Sequence, residues 1–335
     1  MKIENVTVLG SGCWGTALGF ALANAGKRVA MWGREDDVAE EINTRSTNSH
    51  FLPGVTLPSG ITATTDLKEA TESAELILFV LPSRATRPVA EALAGVGVGE
   101  KAVFLSCSKG IESGTGLRMS EIIQDLFPER AIAALSGPNH AEEIAKRLPS
   151  AAVIACGDVD VAQTLQAAFS LPWFRIYTSD DIVGVEVGGA VKNVYAIAAG
   201  ISEGLGLGDN AKAALATKGL AEMSRLGRAM GGRFETFQGL SGVGDLIVTC
   251  YSKHSRNGTV GRRLGGGEGL EAILASMPTV AEGVPNTKSL WELVRRESID
   301  APLIEEMHSI LYEGKDTKGA LTDLLSRRQK SELEA

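Results

Sequence analysis

Short β-branched and apolar runs alternate with helix-spaced segments through the first half of the chain. "VTVLG" is followed by the helix-like "CWGTALGFALANAG", then by "KRVAMWG" and the helix-like "EDDVAEEIN". Further strands are expected at "LILFVL", "AVFLSC", "AIAALS" and "AAVIAC", each bounded by Gly, Pro or Ser. Strands that are apolar along their length and alternate with helices predict a parallel sheet covered on both faces. From Asp180 the pattern changes to Ala, Gly, Leu and Glu at helical spacing. It predicts helices over 181–203, 209–230, 259–265, 284–297 and 301–313. The expected fold is thus α/β: a doubly wound sheet over 1–179, an all-α C-terminal domain over 180–325, and a charged, apolar-poor, frayed tail over 326–335.

At 335 residues the chain is long enough for two domains with well-developed cores. Its 44% hydrophobic and 22% charged residues are ordinary for a globular protein. No uninterrupted apolar run reaches the roughly 18 residues of a membrane span, so none is expected. The N-terminus "MKIENVTVLG" lacks the order of a signal peptide, which makes the cytoplasm the expected location. Cys13, Cys107, Cys156 and Cys250 are scattered without metal-ligand spacing, so neither a metal site nor a disulfide framework is expected. A formal net charge of −8 argues against nucleic acid as a partner.

Gly10, Gly12 and Gly15 in "VTVLGSGCWG" form G-x-G-x-x-G between a strand and a helix, the context that marks a Rossmann-type dinucleotide site. Gly10 permits the tight turn, Gly12 lets backbone approach a pyrophosphate, and Gly15 lets helix and strand pack closely. The anion would meet the helix N-terminus. The second strand ends "AMWGRED", with Arg34 near the position that selects the cofactor and the acids just after it. That favours NADP, or use of both cofactors, over strict NAD; the alternative is a solvated loop cation. Lys109, in "LSCSKGIE", follows a strand at the ligand-binding edge of the sheet and is a candidate contact or an ordinary surface lysine. "LSGPNHAEEI" repeats the device, with Gly137 and Pro138 turning the chain before a helix N-terminus.

In the second half, Asp245 stands among small apolar residues, where a carboxylate needs a partner such as a lysine ammonium. "SRN", 255–257, precedes a short helix, so Arg256 and Asn257 together suit a phosphate. His254, flanked by Lys253 and Arg256, reads as a surface residue. Lys192 lies inside "GVEVGGAVKNVYAIAAG", a stretch made to be buried. Desolvation would lower its pKa and suit it to proton exchange, but on this stretch alone a snorkelling side chain is the commoner use. Gly188, Gly189 and Ala190 are expected to let this helix approach the cofactor domain.

Taken together, "GSGCWGTALG", "SKGIE", "GPNHA", "GGAVKNVYAIAAGI", "GLGLGDNAKAAL", "GLSGVGDLIVTC", "SRN" and "VAEGV" resemble the NAD(P)-dependent glycerol-3-phosphate dehydrogenases, in the family order over nearly the whole chain. The soluble bacterial, biosynthetic branch fits best. The resemblance implies reversible reduction of dihydroxyacetone phosphate to sn-glycerol 3-phosphate, the backbone precursor of phospholipids, with NADP and/or NAD, by a homodimer. It implies Lys192 as the proton donor and acceptor, with Asp245 as its polar neighbour in catalysis. Lys109, Gly137, Lys192, Asp245, Ser255, Arg256 and Asn257 match substrate positions. Ser11, Trp14, Arg34, Lys109, Ala141, Arg256, Val280 and Glu282 match cofactor positions, beside Gly10, Gly12 and Gly15. Where many members read G-P-S-(F/Y)-A, this chain has Asn139, whose amide would contact substrate in place of a serine. Two rival readings stay open: another Rossmann-plus-helical dehydrogenase acting on a hydroxy acid, and a non-catalytic NADP-binding regulator.

Overall fold

The computed structural model describes residues 2–253, 255–277, 280–329 and 331–332. The chain forms two compact units, one of residues 1–108 and 118–182, the other of residues 109–117 and 183–335. A single division near residue 179 does not capture the excursion of residues 109–117.

The first unit is built on one eight-stranded sheet: β1 (Asn5–Leu9), β2 (Arg28–Trp32), β3 (Ile61–Thr64), β4 (Leu76–Phe79), β5 (Val103–Ser106), β6 (Ile132–Ser136), β7 (Ser150–Ala155) and β8 (Phe174–Ser179). The spatial order is β3-β2-β1-β4-β5-β6-β7-β8. The six expected strands are present. β3 and β8 escape the sequence pattern because both are edge strands with exposed positions, so neither is a continuous apolar run. β4 and β5 are buried at every position, as strands covered on both faces must be. The register aligns Leu9 with Trp32 and with Phe79, which brings the loops after β1, β2 and β4 to one edge of the sheet. The strand order reverses at β1, and that is where the glycine loop emerges.

One pairing departs from the expected parallel sheet: β6 and β7 are antiparallel. After β6 the chain turns at Gly137 (φ +143°) into a helix of only five residues, Ala141–Ala145, which packs beside the helix Cys13–Asn24. That return is too short a helix for the usual crossover of a parallel pair.

The second unit is helical. Its expected helices are present as Ile182–Gly204, Gly208–Ala229, Arg256–Gly265, Gly283–Glu297 and Pro302–Tyr312. Short helices Phe234–Phe237 and Leu270–Ala275, a π-helical turn Leu240–Gly244 leading into Asp245–Tyr251, and Thr317–Ser326 add to them. Of the tail expected over 326–335, Lys330 and residues 333–335 lie outside the described residues. Contrary to the expectation that no segment qualifies, Ile182–Gly204 is long and apolar enough to cross a membrane. Its most apolar window is 89% buried inside the fold, so its apolar surface is already covered by protein. A Cβ on Gly261 would collide with the Ile197 carbonyl, and one on Gly200 with the Gly258 carbonyl, so glycines on both sides let Ile182–Gly204 cross Arg256–Gly265 at backbone contact. Gly188 serves the same end: a Cβ there would strike the Ser241 carbonyl, so its smallness is used inside the helical unit.

Buried Glu222 accepts hydrogen bonds from the Leu303 and Ile304 N–H groups (2.9 and 3.0 Å) and from the Tyr195 hydroxyl (3.2 Å), closing the start of Pro302–Tyr312. Burial pushes its carboxyl up to about 7. All four cysteines are free thiols; Cys107, Cys156 and Cys250 are buried.

Candidate active site

In the first unit the glycine loop has the shape a dinucleotide requires. Gly10 has φ +117°, and a Cβ there would collide with the Val80 carbonyl. A Cβ on Gly15 would strike the Gly10 carbonyl, whereas one on Gly12 would meet nothing within 4 Å. The outer side of Gly12 is therefore open, while Gly10 and Gly15 are closed in by protein. Cys13–Asn24 starts at Gly12 with no side-chain cap and no acid in its first turn. Its N–H donors and the positive end of its dipole are left for an anion. Ser11 is buried, its carbonyl held by Asn48 Nδ2 (2.9 Å) and Thr16 Oγ1 (3.1 Å). Trp14 Nε1 is buried without a hydrogen-bond partner.

At the end of β2 the Arg34 side chain is 83% exposed, and its guanidinium lies 3.8 Å from Glu35 Oε1. The Arg34 N–H donates to Glu35 Oε2 (3.2 Å), so the carboxylate is folded back to the strand end. An acceptor suited to a ribose 2′-OH and a cation suited to a 2′-phosphate thus stand side by side. Beyond β6, Gly137 packs so tightly that a Cβ would lie 3.0 Å from Ala152 Cα, and buried Ala141 opens the short helix. The Asn139 amide donates to the Ala151 (2.9 Å) and Pro138 (3.0 Å) carbonyls. Its donors are therefore engaged within the first unit, and the group left over for a ligand is the buried Oδ1, which has no partner.

In the second unit a lysine–aspartate–lysine cluster forms. Lys192 sits in the middle of Ile182–Gly204 and is 7% exposed. The π-helical turn delivers Asp245, fully buried, as the first residue of Asp245–Tyr251. Asp245 Oδ1 accepts from Lys192 Nζ, and Oδ2 accepts from Lys109 Nζ at 2.5 Å. Lys192 Nζ also donates to Thr249 Oγ1 (2.8 Å), whose own proton goes to the Asp245 carbonyl (2.6 Å). Burial pulls the Lys192 ammonium down from 10.5 to about 8; the Asp245 carboxylate opposes the fall and the Lys109 ammonium adds to it. A lysine so placed exchanges protons near neutral pH. The snorkelling alternative is set aside, because the ammonium is held inside by a buried carboxylate and a hydroxyl.

The "SRN" residues are neighbours in space as well as in sequence. Ser255 Oγ caps Arg256–Gly265 by accepting from the Gly258 N–H (3.0 Å), and Arg256 opens that helix. Arg256 is exposed and has no side-chain hydrogen bond or ion pair among the described residues, so its guanidinium is available to a ligand. Asn257 is more engaged: its Nδ2 donates to Asn193 Oδ1 (2.9 Å) and its Oδ1 accepts the Gly283 N–H (2.9 Å), bonds that leave one amide N–H over. Val280 is 39% exposed, and Glu282 is half-buried at the entry to Gly283–Glu297. His254 lies outside the described residues. Sequence reasoning missed Thr249, four residues after Asp245 and hence on the same helix face, and Asn193, which follows Lys192. It also missed Asn286, which carries no motif signal.

Residues 5–162 match the family described as NAD-dependent glycerol-3-phosphate dehydrogenase N-terminus, and residues 181–322 match its C-terminus. The chain is 46% identical to a glycerol-3-phosphate dehydrogenase (NAD(P)+) of Bacillus cytotoxicus, over 99% of this chain and 98% of that protein. The structure of a glycerol-3-phosphate dehydrogenase from Coxiella burnetii is similar with a TM-score of 0.93 at 37% identity, covering 97% of this chain and 99% of that one. The Saccharomyces cerevisiae enzyme is similar with a TM-score of 0.84 at 32% identity, covering 97% and 100%. A ketopantoate reductase from Ralstonia eutropha, at 19% identity and a TM-score of 0.60, shares the fold alone. The chain belongs to the NAD-dependent glycerol-3-phosphate dehydrogenase family.

Proposed function

We propose that the protein catalyses the reversible reduction of dihydroxyacetone phosphate to sn-glycerol 3-phosphate, using NADPH or NADH. The observation that carries this reading is the buried Lys192 whose ammonium is held by Asp245 and Thr249 and lowered to about 8. When bound, the reduced nicotinamide supplies the hydride to the ketone carbon. Lys192, as ammonium, gives its proton to the oxygen that becomes the hydroxyl; in the reverse direction neutral Lys192 takes that proton from the alcohol. Asp245 and Thr249 accept two of the three Nζ–H bonds, which leaves the third to reach substrate. Lys109 adds positive charge where negative charge develops on the substrate oxygen. Arg256, with the start of its helix and Ser255, binds the phosphate ester.

The first unit's part is to hold the cofactor. Gly10, Ser11, Gly12, Trp14 and Gly15 receive the pyrophosphate and adjoining groups, Ala141 contributes a further contact, and Arg34 beside Glu35 favours use of both cofactors; Val280 and Glu282, residues of the second unit, match the remaining cofactor positions. Cytoplasmic location, homodimeric assembly and a supply role in phospholipid synthesis belong to the same proposal. A hydroxy-acid substrate is the second reading; the exposed Arg256 at a helix N-terminus favours a phosphate ester over a carboxylate.

The test is nicotinamide absorbance with purified protein, dihydroxyacetone phosphate, and each reduced cofactor in turn. Consumption of both cofactors is expected. Turnover of 2-keto acids with none of dihydroxyacetone phosphate would replace this reading by the second one, and no turnover of either would support a non-catalytic binder.

A further inference from the structure

Lys109 does not reach Asp245 from a regular element. It opens the segment 109–117, which contains no helix or strand, and something has to hold its backbone while the side chain pairs with Asp245. The helix Gly283–Glu297 does so at three places. Near its C-terminal end Arg296 Nη1 donates to the Thr115 carbonyl (2.9 Å), and Glu292 Oε2 accepts from Ser113 Oγ and the Gly114 N–H (2.9 Å each). Those ties are exposed. The third is Asn286, fully buried, whose Nδ2 donates to the Lys109 carbonyl (3.0 Å) and to the Ala190 carbonyl (3.4 Å). Ala190 is two residues before Lys192 on Ile182–Gly204. One amide therefore bridges the backbone of one lysine to the helix that carries the other.

The bridge is made at a disadvantage. With its nitrogen turned to two carbonyls, Asn286 leaves Oδ1 buried and unpartnered, which an apolar side chain in the same place would avoid. An apolar side chain would also take this donor away from the Lys109 carbonyl, so what the asparagine gains for its unpartnered oxygen is a fixed Lys109 backbone.

We propose that Asn286 is a positioning residue: it holds the backbone of Lys109 against the Lys192 helix and thereby sets where the Lys109 ammonium meets Asp245. This rests on the reading of Lys109, Lys192 and Asp245 as the reaction site. Asn286 touches neither substrate nor cofactor in this account and acts through Lys109.

A double-mutant cycle on the full chain tests it, with Asn286→Leu, Lys109→Ala and the pair, each assayed for kcat, KM and cofactor Kd. Asn286→Leu alone is expected to lower kcat/KM for dihydroxyacetone phosphate by about 10- to 100-fold, the scale of a small misplacement of a reacting group. In the Lys109→Ala background the same substitution is expected to add less than about twofold, because the group it positions is gone. Cofactor Kd should be unchanged in Asn286→Leu, and Glu292→Ala should keep kcat/KM within about twofold, as exposed ties contribute little. Asn286→Ala repeats the cycle if leucine prevents folding. An equal loss in both backgrounds, or a parallel loss of cofactor affinity, would overturn the positioning role while leaving the site reading intact. Undiminished turnover by Lys109→Ala would overturn the site reading, and the positioning role with it.

Discussion

Replacing Asp245 with asparagine removes one charge and almost no volume from the centre of the lysine cluster. The carboxylate is the group that props up the Lys192 ammonium against burial, so its loss moves the Lys192 pKa down from about 8. Unit charges about 4 Å apart interact by about 4 kcal/mol at an effective dielectric constant of about 20, and one pKa unit corresponds to about 1.4 kcal/mol, so the ceiling is about three units. Asp245 is shared with Lys109, and asparagine still offers an oxygen to Nζ. A fall of about one to two units is therefore expected. The assay is single-turnover oxidation of glycerol 3-phosphate followed by nicotinamide absorbance across pH. In that direction the rate needs neutral Lys192, so the rising limb marks its pKa. In Asp245→Asn the residual rate should rise at lower pH than in the wild type. Urea unfolding should show a loss of about 3–5 kcal/mol, the usual effect of leaving buried charge without its partner. A limb that stays in place, or moves to higher pH, would refute the assignment of Asp245 as the support of the Lys192 charge.

Arg256→Ala should raise the KM for dihydroxyacetone phosphate by about 10- to 100-fold, as expected for losing a charge-assisted hydrogen bond, and weaken inhibition by inorganic phosphate; an unchanged KM would point to a carboxylate substrate. Gly261→Ala should destabilise the helical unit by about 1–3 kcal/mol in chemical unfolding, because the added methyl meets the Ile197 carbonyl and lies 2.8 Å from Gly200 Cα. Glu222, raised by burial from 4.5 to about 7, holds a proton in the folded state that the unfolded chain has released, so its contribution to stability falls as pH rises through that window. Unfolding free energies of wild type and Glu222→Gln should accordingly show a downward slope between those values that the variant lacks.

The alternation of apolar strands with helices was enough to read the layered sheet, and the G-x-G-x-x-G context placed its ligand edge, because both signals are local. β3 and β8 were not legible, since an edge strand with one exposed side has no continuous apolar run. The reversal between β6 and β7 depends on the left-handed backbone at Gly137 and on the packing of a five-residue helix, neither of which leaves a periodic signature. The π-helical turn Leu240–Gly244 hides in "LSGVG", which by composition is a loop, yet it sets the orientation of Asp245. Lys192 was ambiguous for a different reason. Its burial was evident from neighbouring residues, but whether its head reaches water depends on Asp245 and Thr249, more than fifty residues along the chain. Asn139 and Asn257 show the converse: their side-chain types suited ligand contacts, and the fold uses most of their hydrogen-bonding groups for its own backbone and side chains.

In the proposed reaction buried Lys192 carries the proton in a nicotinamide-dependent reduction of dihydroxyacetone phosphate. The most direct measurement is Lys192→Ala, with cofactor affinity by fluorescence titration and turnover with dihydroxyacetone phosphate determined on the same preparation. Cofactor affinity is expected close to wild type, with kcat lowered by about 10²- to 10⁴-fold, the range general acid–base groups contribute. A variant that binds the cofactor and retains near-normal kcat would contradict this role of Lys192.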